Sequence, residues 1–136
     1  IDTVLYICGF PEKINTFIRK GDINWHNSGA GFCGSGISKK GVFFTYMSNW
    51  DCPGRWGIEL ITSERRILLS PMEKIKQKFS NEEYKDIIIK NSDDINFKPG
   101  ITKLLKNFLI KDEKIMCKLE EQIINIDIYN KMAAYH

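Results

Sequence analysis

Histidine is nearly absent from this chain, with only His26 and His136. A hydrolytic triad or a catalytic metal centre needs a histidine with a partner at useful spacing. Neither residue has one, so no metal and no hydrolytic site is expected. Long apolar runs are missing too. No segment approaches the about 20 consecutive apolar residues that cross a bilayer as a helix, so no membrane partner is expected. The four cysteines, Cys8, Cys33, Cys52 and Cys117, lie far apart without a C-x-x-C pair. That spacing argues against zinc and redox motifs and fits small buried thiols in a reducing cytoplasm.

Charge of one sign is not concentrated anywhere. Lysine and arginine outnumber the acids by 20 to 17, giving +3. The densest basic stretch, Glu73-Lys74-Ile75-Lys76-Gln77-Lys78, interleaves charges with apolar residues. It reads as a solvated strand face, and no nucleic-acid partner is expected. Internal repeats and linker-like tracts are also lacking. The 136 residues suit one compact domain that buries about two-thirds of its unfolded surface.

What is present is mostly β pattern followed by helix. Residues 1–9 read as the last turns of an amphipathic helix stopped by Gly9, so a preceding segment is expected in the parent protein. Residues 13–20 alternate Ile14, Thr16 and Ile18 against Asn15, Phe17 and Arg19, predicting a strand. A loop with Trp25 and His26 follows. From Gly31 to Ser70, short turns such as Lys39-Lys40-Gly41 separate β-rich runs, and short turns imply antiparallel pairing. In the run 42–50, Val42, Phe44, Tyr46 and Trp50 are assigned to one face, Phe43 and Met47 to the other. Both faces are therefore expected to be covered. Residues 80–98 are ambiguous, with Ser80 to Glu83 readable as a capping box and 86–90 as a strand or buried loop. Pro99 suits a first helical position, and Ile101, Leu104, Leu105 and Phe108 have helical spacing. Leu119, Ile123, Ile126 and Ala133 mark a second helix, widened by Ile124 and Ile128. The expected fold is α+β: a mostly antiparallel open sheet with helices packed on one face.

Gly29-Ala30-Gly31-Phe32-Cys33-Gly34 matches G-x-G-x-x-G. A dinucleotide fingerprint must open a helix, whereas this one runs into a hairpin, so no cofactor site is assigned to it. A second cluster carries more chemistry. The run Asn49-Trp50-Asp51-Cys52-Pro53-Gly54-Arg55-Trp56-Gly57 gathers an amide, a carboxylate, a guanidinium and two indoles at a strand end. Such groups can hold a hydroxylated or anionic ligand. They can equally be core tryptophans beside a hairpin turn, with Asp51 and Arg55 paired or solvated. Glu59, Arg65 and Arg66 read as structural or solvated charges.

Residues 49–71, NWDCPGRWGIELITSERRILLSP, resemble the C-terminal domain of the glucose–fructose oxidoreductase, inositol dehydrogenase and rhizopine-catabolism (Gfo/Idh/MocA) family. Residues 1–6 resemble the end of that family's H-x-x-D helix, 29–46 its hairpin region, and 96–100 and 119–122 the openings of its last two helices. The resemblance implies that residues 1–136 are one substrate-binding and oligomerisation domain, without the N-terminal Rossmann domain that binds NAD or NADP in such proteins. The whole protein would move a hydride to or from a sugar, polyol or related compound, in the cytoplasm, as a homo-oligomer joined through the sheet. Asn49, Trp50, Asp51, Arg55 and Trp56 would line or support the substrate pocket. The lysine and histidine of catalysis would lie outside this chain, and only Asp2 of the H-x-x-D pattern would remain, so the chain alone would bind no cofactor and would be inactive. The alternative is a non-catalytic binding or scaffold module of the same fold.

Overall fold

The computed structural model describes residues 1–136 apart from Asp22, Asn27, Ser28 and 134–136, and apart from the side chain of Ile115. The chain forms two compact units: residues 1–53 with 118–136, and residues 54–117. The class is α+β, with two antiparallel sheets and four α-helices among the described residues.

The first unit contains helix α1 (Asp2–Cys8), strands β1 (Pro11–Arg19), β2 (Gly31–Ser38) and β3 (Phe43–Asn49), and later helix α4 (Leu119–Ala133). Gly9 ends α1 with a positive φ of 82°, which glycine adopts without strain. The strands pair antiparallel in the order β1-β2-β3. Their register fixes two faces, because successive side chains alternate. On one face the cross-strand rows are Ile14–Gly36–Phe44, Thr16–Gly34–Tyr46 and Ile18–Phe32–Ser48. On the other they are Lys13–Ile37–Phe43, Asn15–Ser35–Thr45, Phe17–Cys33–Met47 and Arg19–Gly31–Asn49.

The first face carries the packing. Gly34 and Gly36 leave bare backbone in the central strand, and the neighbouring rings lie over it. A Cβ on Gly34 would come within 2.5 Å of the Tyr46 ring, and one on Gly36 within 2.5 Å of the Phe44 ring. Lying flat across Gly34, Tyr46 reaches Thr16 with its hydroxyl, 2.8 Å from Oγ1. The same hydroxyl donates to the carbonyl of Met132 at 3.5 Å, which places the end of α4 on this face. Ser38 is fully buried and its Oγ accepts from the N–H groups of Lys40 and Val42, closing the expected Lys39-Lys40-Gly41 turn.

The opposite face is open. Phe17, Phe43 and Met47 are 67%, 83% and 78% exposed, so the expectation that both faces are covered fails for this chain. The buried-thiol expectation fails as well. Cys33 sits in the outward row between Phe17 and Met47, Cys52 and Cys117 are also exposed, and only Cys8 is partly covered.

The second unit holds β4 (Ile58–Ile61), β5 (Arg65–Leu69), β6 (Ile75–Phe79) and β7 (Lys85–Ile87), paired antiparallel in that order. Helices α2 (Ser92–Asn96) and α3 (Ile101–Leu109) and a 3-10 turn (Glu113–Ile115) follow. The strands thus fall into two sheets where one was expected. The Pro53-Gly54 stretch between β3 and β4 is irregular, consistent with a proline that cannot donate to a ladder.

The ambiguous region 80–98 becomes a turn with Asn81 at φ 61°, then β7, then α2. Asn91 caps α2, its side chain accepting from the N–H of Asp93 at 3.1 Å. Pro99 stands outside α3, whose cap is Gly100 in the left-handed region at φ 79°. Helix α3 packs on α2 and the 3-10 turn. Of the two tail helices expected to cover a sheet, α4 lies against the three-stranded one and α3 belongs to the second unit.

Candidate functional site

The end of β3 and the end of β1 meet at Gly31, and this position organises the candidate site. A Cβ on Gly31 would lie 2.9 Å from Asn49 Oδ1 and 3.1 Å from Arg19 Nε. Both side chains therefore converge over a residue that only glycine can occupy without displacing them. Just past β3, Asp51 accepts from Arg19 Nη2 through Oδ1 at 2.9 Å and Oδ2 at 3.0 Å. The Arg19 hydrogen bond holds the Asp51 carboxyl below the ordinary aspartate range, with a smaller contribution from the Cys52 thiol, which donates to Oδ1. Arg19 and Asp51 form a charge-assisted pair at one end of the open face, with Asn49 beside Arg19 over Gly31. A shallow depression floored by Phe17, Cys33, Ser35, Thr45 and Met47 occupies the same face.

Trp50 is on the other side of the sheet. Its backbone N–H donates to the Ala30 carbonyl at 2.8 Å, extending the β2–β3 ladder by one residue. Its ring joins Trp25, His26 and Phe32 in an aromatic cluster. Trp25 and Trp50 meet edge to face with centroids 5.2 Å apart, and His26 is 6.2 Å from Trp50 at an interplanar angle of 26°. His26 also lies 5.1 Å from Phe32, the buried ring of the cluster.

The five residues singled out in the sequence are thus distributed over three places. Asn49 and Asp51 are together, with Arg19 between them. Trp50 belongs to the aromatic cluster on the opposite face. Arg55 and Trp56 are exposed residues on the irregular segment before β4 and belong to the second unit. Asp51 takes its guanidinium partner from Arg19, 32 positions away. Arg19, Trp25 and His26 are the residues that sequence reasoning left out. The alternation of β1 placed Arg19 on the face of Phe17, but nothing in the sequence gave that face a partner.

Asp2 is engaged elsewhere in the first unit. Its Oδ1 accepts from Asn125 Nδ2 at 3.1 Å and from the Tyr129 hydroxyl. Gln122 donates to the Tyr129 oxygen at 3.3 Å. Burial, and then the hydrogen bond to Asp2, push the Tyr129 phenol above its ordinary value.

In the second unit, Glu59 on β4 accepts from Arg66 at 3.3 Å and from the Tyr84 hydroxyl at 2.7 Å. Lys76 pairs with Asp86 at 3.9 Å and Lys78 lies 5.1 Å from the Tyr84 ring centroid. These pairings give the basic stretch the partners of a solvated sheet face.

The residues of the G-x-G-x-x-G match lead into β2, the central strand, whose N–H groups are committed to ladders on both edges. They cannot cradle a pyrophosphate in that state. Among the described residues, no group of three or more His, Cys, Asp or Glu side chains is placed to hold a metal ion, and no helix is long and apolar enough to cross a membrane. Comparison of the chain with protein-family models, curated proteins and solved structures finds no match.

Proposed function

We propose that the chain is the substrate-side, C-terminal domain of an NAD(P)-dependent oxidoreductase acting on a sugar, polyol or related hydroxylated compound. The observation that carries this reading is the Arg19–Asn49–Asp51 cluster. It stands where the run NWDCPGRW begins, the stretch that most resembles the Gfo/Idh/MocA family, and it supplies hydrogen-bonding groups suited to hydroxyls. Within the first unit, Asn49, Trp50 and Asp51 are the pocket or pocket-support residues of this proposal, now with Arg19.

In that reading the chain contributes binding and assembly, and no catalytic residue. The nicotinamide supplies hydride chemistry in a nucleotide-binding half, which also carries the acid/base groups. The open face with Phe17, Phe43 and Met47 is the contact between copies, since apolar rings on a sheet are stabilised when removed from water. The thiols of Cys8, Cys33 and Cys52 form no disulfide, consistent with a reducing cytoplasm.

One observation favours the alternative, a binding or scaffold module without catalysis. The only residue of the H-x-x-D pattern in the chain, Asp2, is taken up by Asn125 and Tyr129 in holding α1 to α4. The experiment that separates the two extends the chain with its natural upstream codons and measures NADH and NADPH binding by fluorescence. Saturable binding supports the oxidoreductase. Its absence in a folded extended protein leaves the scaffold.

A further inference from the structure

Helix α3 divides its residues by kind. With about 3.6 residues per turn, Ile101, Leu104, Leu105, Phe108 and Leu109 fall on one arc and Thr102, Lys103, Lys106 and Asn107 on the other. The apolar arc is uncovered, with exposures from 41% at Ile101 to 77% at Leu109. Packing against α2 and the 3-10 turn leaves it so. Phe97 and Ile110, just outside the two ends of the helix, are exposed as well.

The charge along this helix has one sign. Lys98, Lys103, Lys106 and Lys111 lie within residues 98–111, which contain no acid. This segment alone exceeds the chain's net +3, an exception to the even spread of charge elsewhere. Lys106 pairs with Asp93 at 2.9 Å and stays largely exposed, while Lys98, Lys103 and Lys111 make no ion pair among the described residues. Of the other nearby acids, Asp94 accepts from the Gly100 N–H and from Asn91 Nδ2, both at 2.8 Å, Asp112 accepts from the Lys114 N–H at 3.2 Å, and Glu113 opens the 3-10 turn.

Lysine is depleted where proteins bury apolar surface against one another. An apolar arc backed by lysines suits an anionic lipid surface instead, where rings and aliphatic groups enter the headgroup boundary and ammonium groups meet the lipid charges. Helix α3 has nine residues and is about 14 Å long, less than half the about 30 Å of a bilayer's hydrocarbon core. It can lie along a membrane without crossing it, so the lack of a spanning segment does not bear on this contact. We propose that α3 is a docking helix for an anionic bilayer surface, entering it with Leu104, Leu105, Phe108 and Leu109 and held there by Lys98, Lys103, Lys106 and Lys111. Neither the exposed arc nor its charge depends on the oxidoreductase reading.

The test is cosedimentation of residues 1–136 with vesicles of phosphatidylcholine alone and of phosphatidylcholine mixed with phosphatidylserine, at low and high salt. Binding should require phosphatidylserine and weaken as salt rises. Lys103→Ala and Lys111→Ala should each weaken it about fivefold, and Phe108→Ala about tenfold. Lys74→Ala, in the turn before β6, should bind like the parent. Circular dichroism checks the fold of each variant, and if Phe108→Ala unfolds, the two lysine variants decide. Three results overturn the proposal: no binding to the vesicles that hold phosphatidylserine, equal binding to the neutral ones, or an equal loss in Lys74→Ala. An oligomer that dissociates in Phe108→Ala without lipid would make the arc a contact between copies and overturn it too.

Discussion

Arg19 and Asp51 form a two-point ion pair, Nη2 to Oδ1 at 2.9 Å and to Oδ2 at 3.0 Å, joining the last residue of β1 to the turn after β3. Both partners are partly exposed, so the pair orders the strand ends more than it stabilises the fold.

That ordering has a pH signature. The Asp51 carboxyl is depressed in the folded state, first by the Arg19 hydrogen bond. A depressed carboxyl stabilises the fold above its unfolded pKa, and the contribution disappears as pH falls through the folded value. The effect therefore lies below about pH 4. A carbon-detected NMR titration should show Asp51 titrating lower than in Arg19→Gln. An unchanged midpoint in that variant would contradict the pairing.

Gly34 and Gly36 should resist any side chain. A Cβ on Gly34 would stand 2.4 Å from the Asn15 carbonyl oxygen and one on Gly36 2.3 Å from that of Lys13. Backbone cannot yield as a flexible side chain can, so Gly34→Ala and Gly36→Ala should each cost about 1–3 kcal/mol by denaturant melting. Gly54, which has nothing within 4 Å of its hypothetical Cβ, is the control, and Gly54→Ala should stay within about 0.5 kcal/mol of the parent.

Removing the Tyr129 hydroxyl should loosen α1 from α4. Tyr129→Phe deletes a donor to Asp2 and should cost about 1 kcal/mol at neutral pH. The raised phenol pKa means this contribution is complete below the unfolded value and lost as pH rises through the folded one, above about pH 10. Thermal melts from neutral to alkaline pH should show the parent and Tyr129→Phe converging at the alkaline end.

The open face makes its own prediction. Cys33 lies between Phe17 and Met47, so assembly through this face should protect its thiol from alkylation. Met47→Lys should dissociate the oligomer in sedimentation velocity and restore Cys33 reactivity. A parent that sediments as a monomer would remove assembly from the proposal.

The parts of this fold that were legible in the sequence are those set by local periodicity. Ile14, Thr16 and Ile18 alternate with Phe17 and Arg19, and that alternation sorted β1 correctly between faces. Lys39-Lys40-Gly41 announced its turn because only a few backbone conformations join paired strands so tightly. The rest depends on contacts that periodicity does not encode. Asp51 could have paired with Arg55 four residues on, and nothing local favoured Arg19. The stripe of Ile101, Leu104, Leu105 and Phe108 showed an amphipathic helix, but not which element it would meet. Trp50 was grouped with Asn49 and Asp51 because they are adjacent, yet strand alternation sends it to the opposite face.

The most direct test of the central claim is nicotinamide binding by the chain extended through its natural upstream codons, compared with residues 1–136 alone. The account predicts saturable NADH or NADPH binding by the extended protein, none by residues 1–136, and nicotinamide reduction when a sugar or polyol substrate is added to the extended protein with the oxidised cofactor. A folded extended protein that binds neither nucleotide would contradict it.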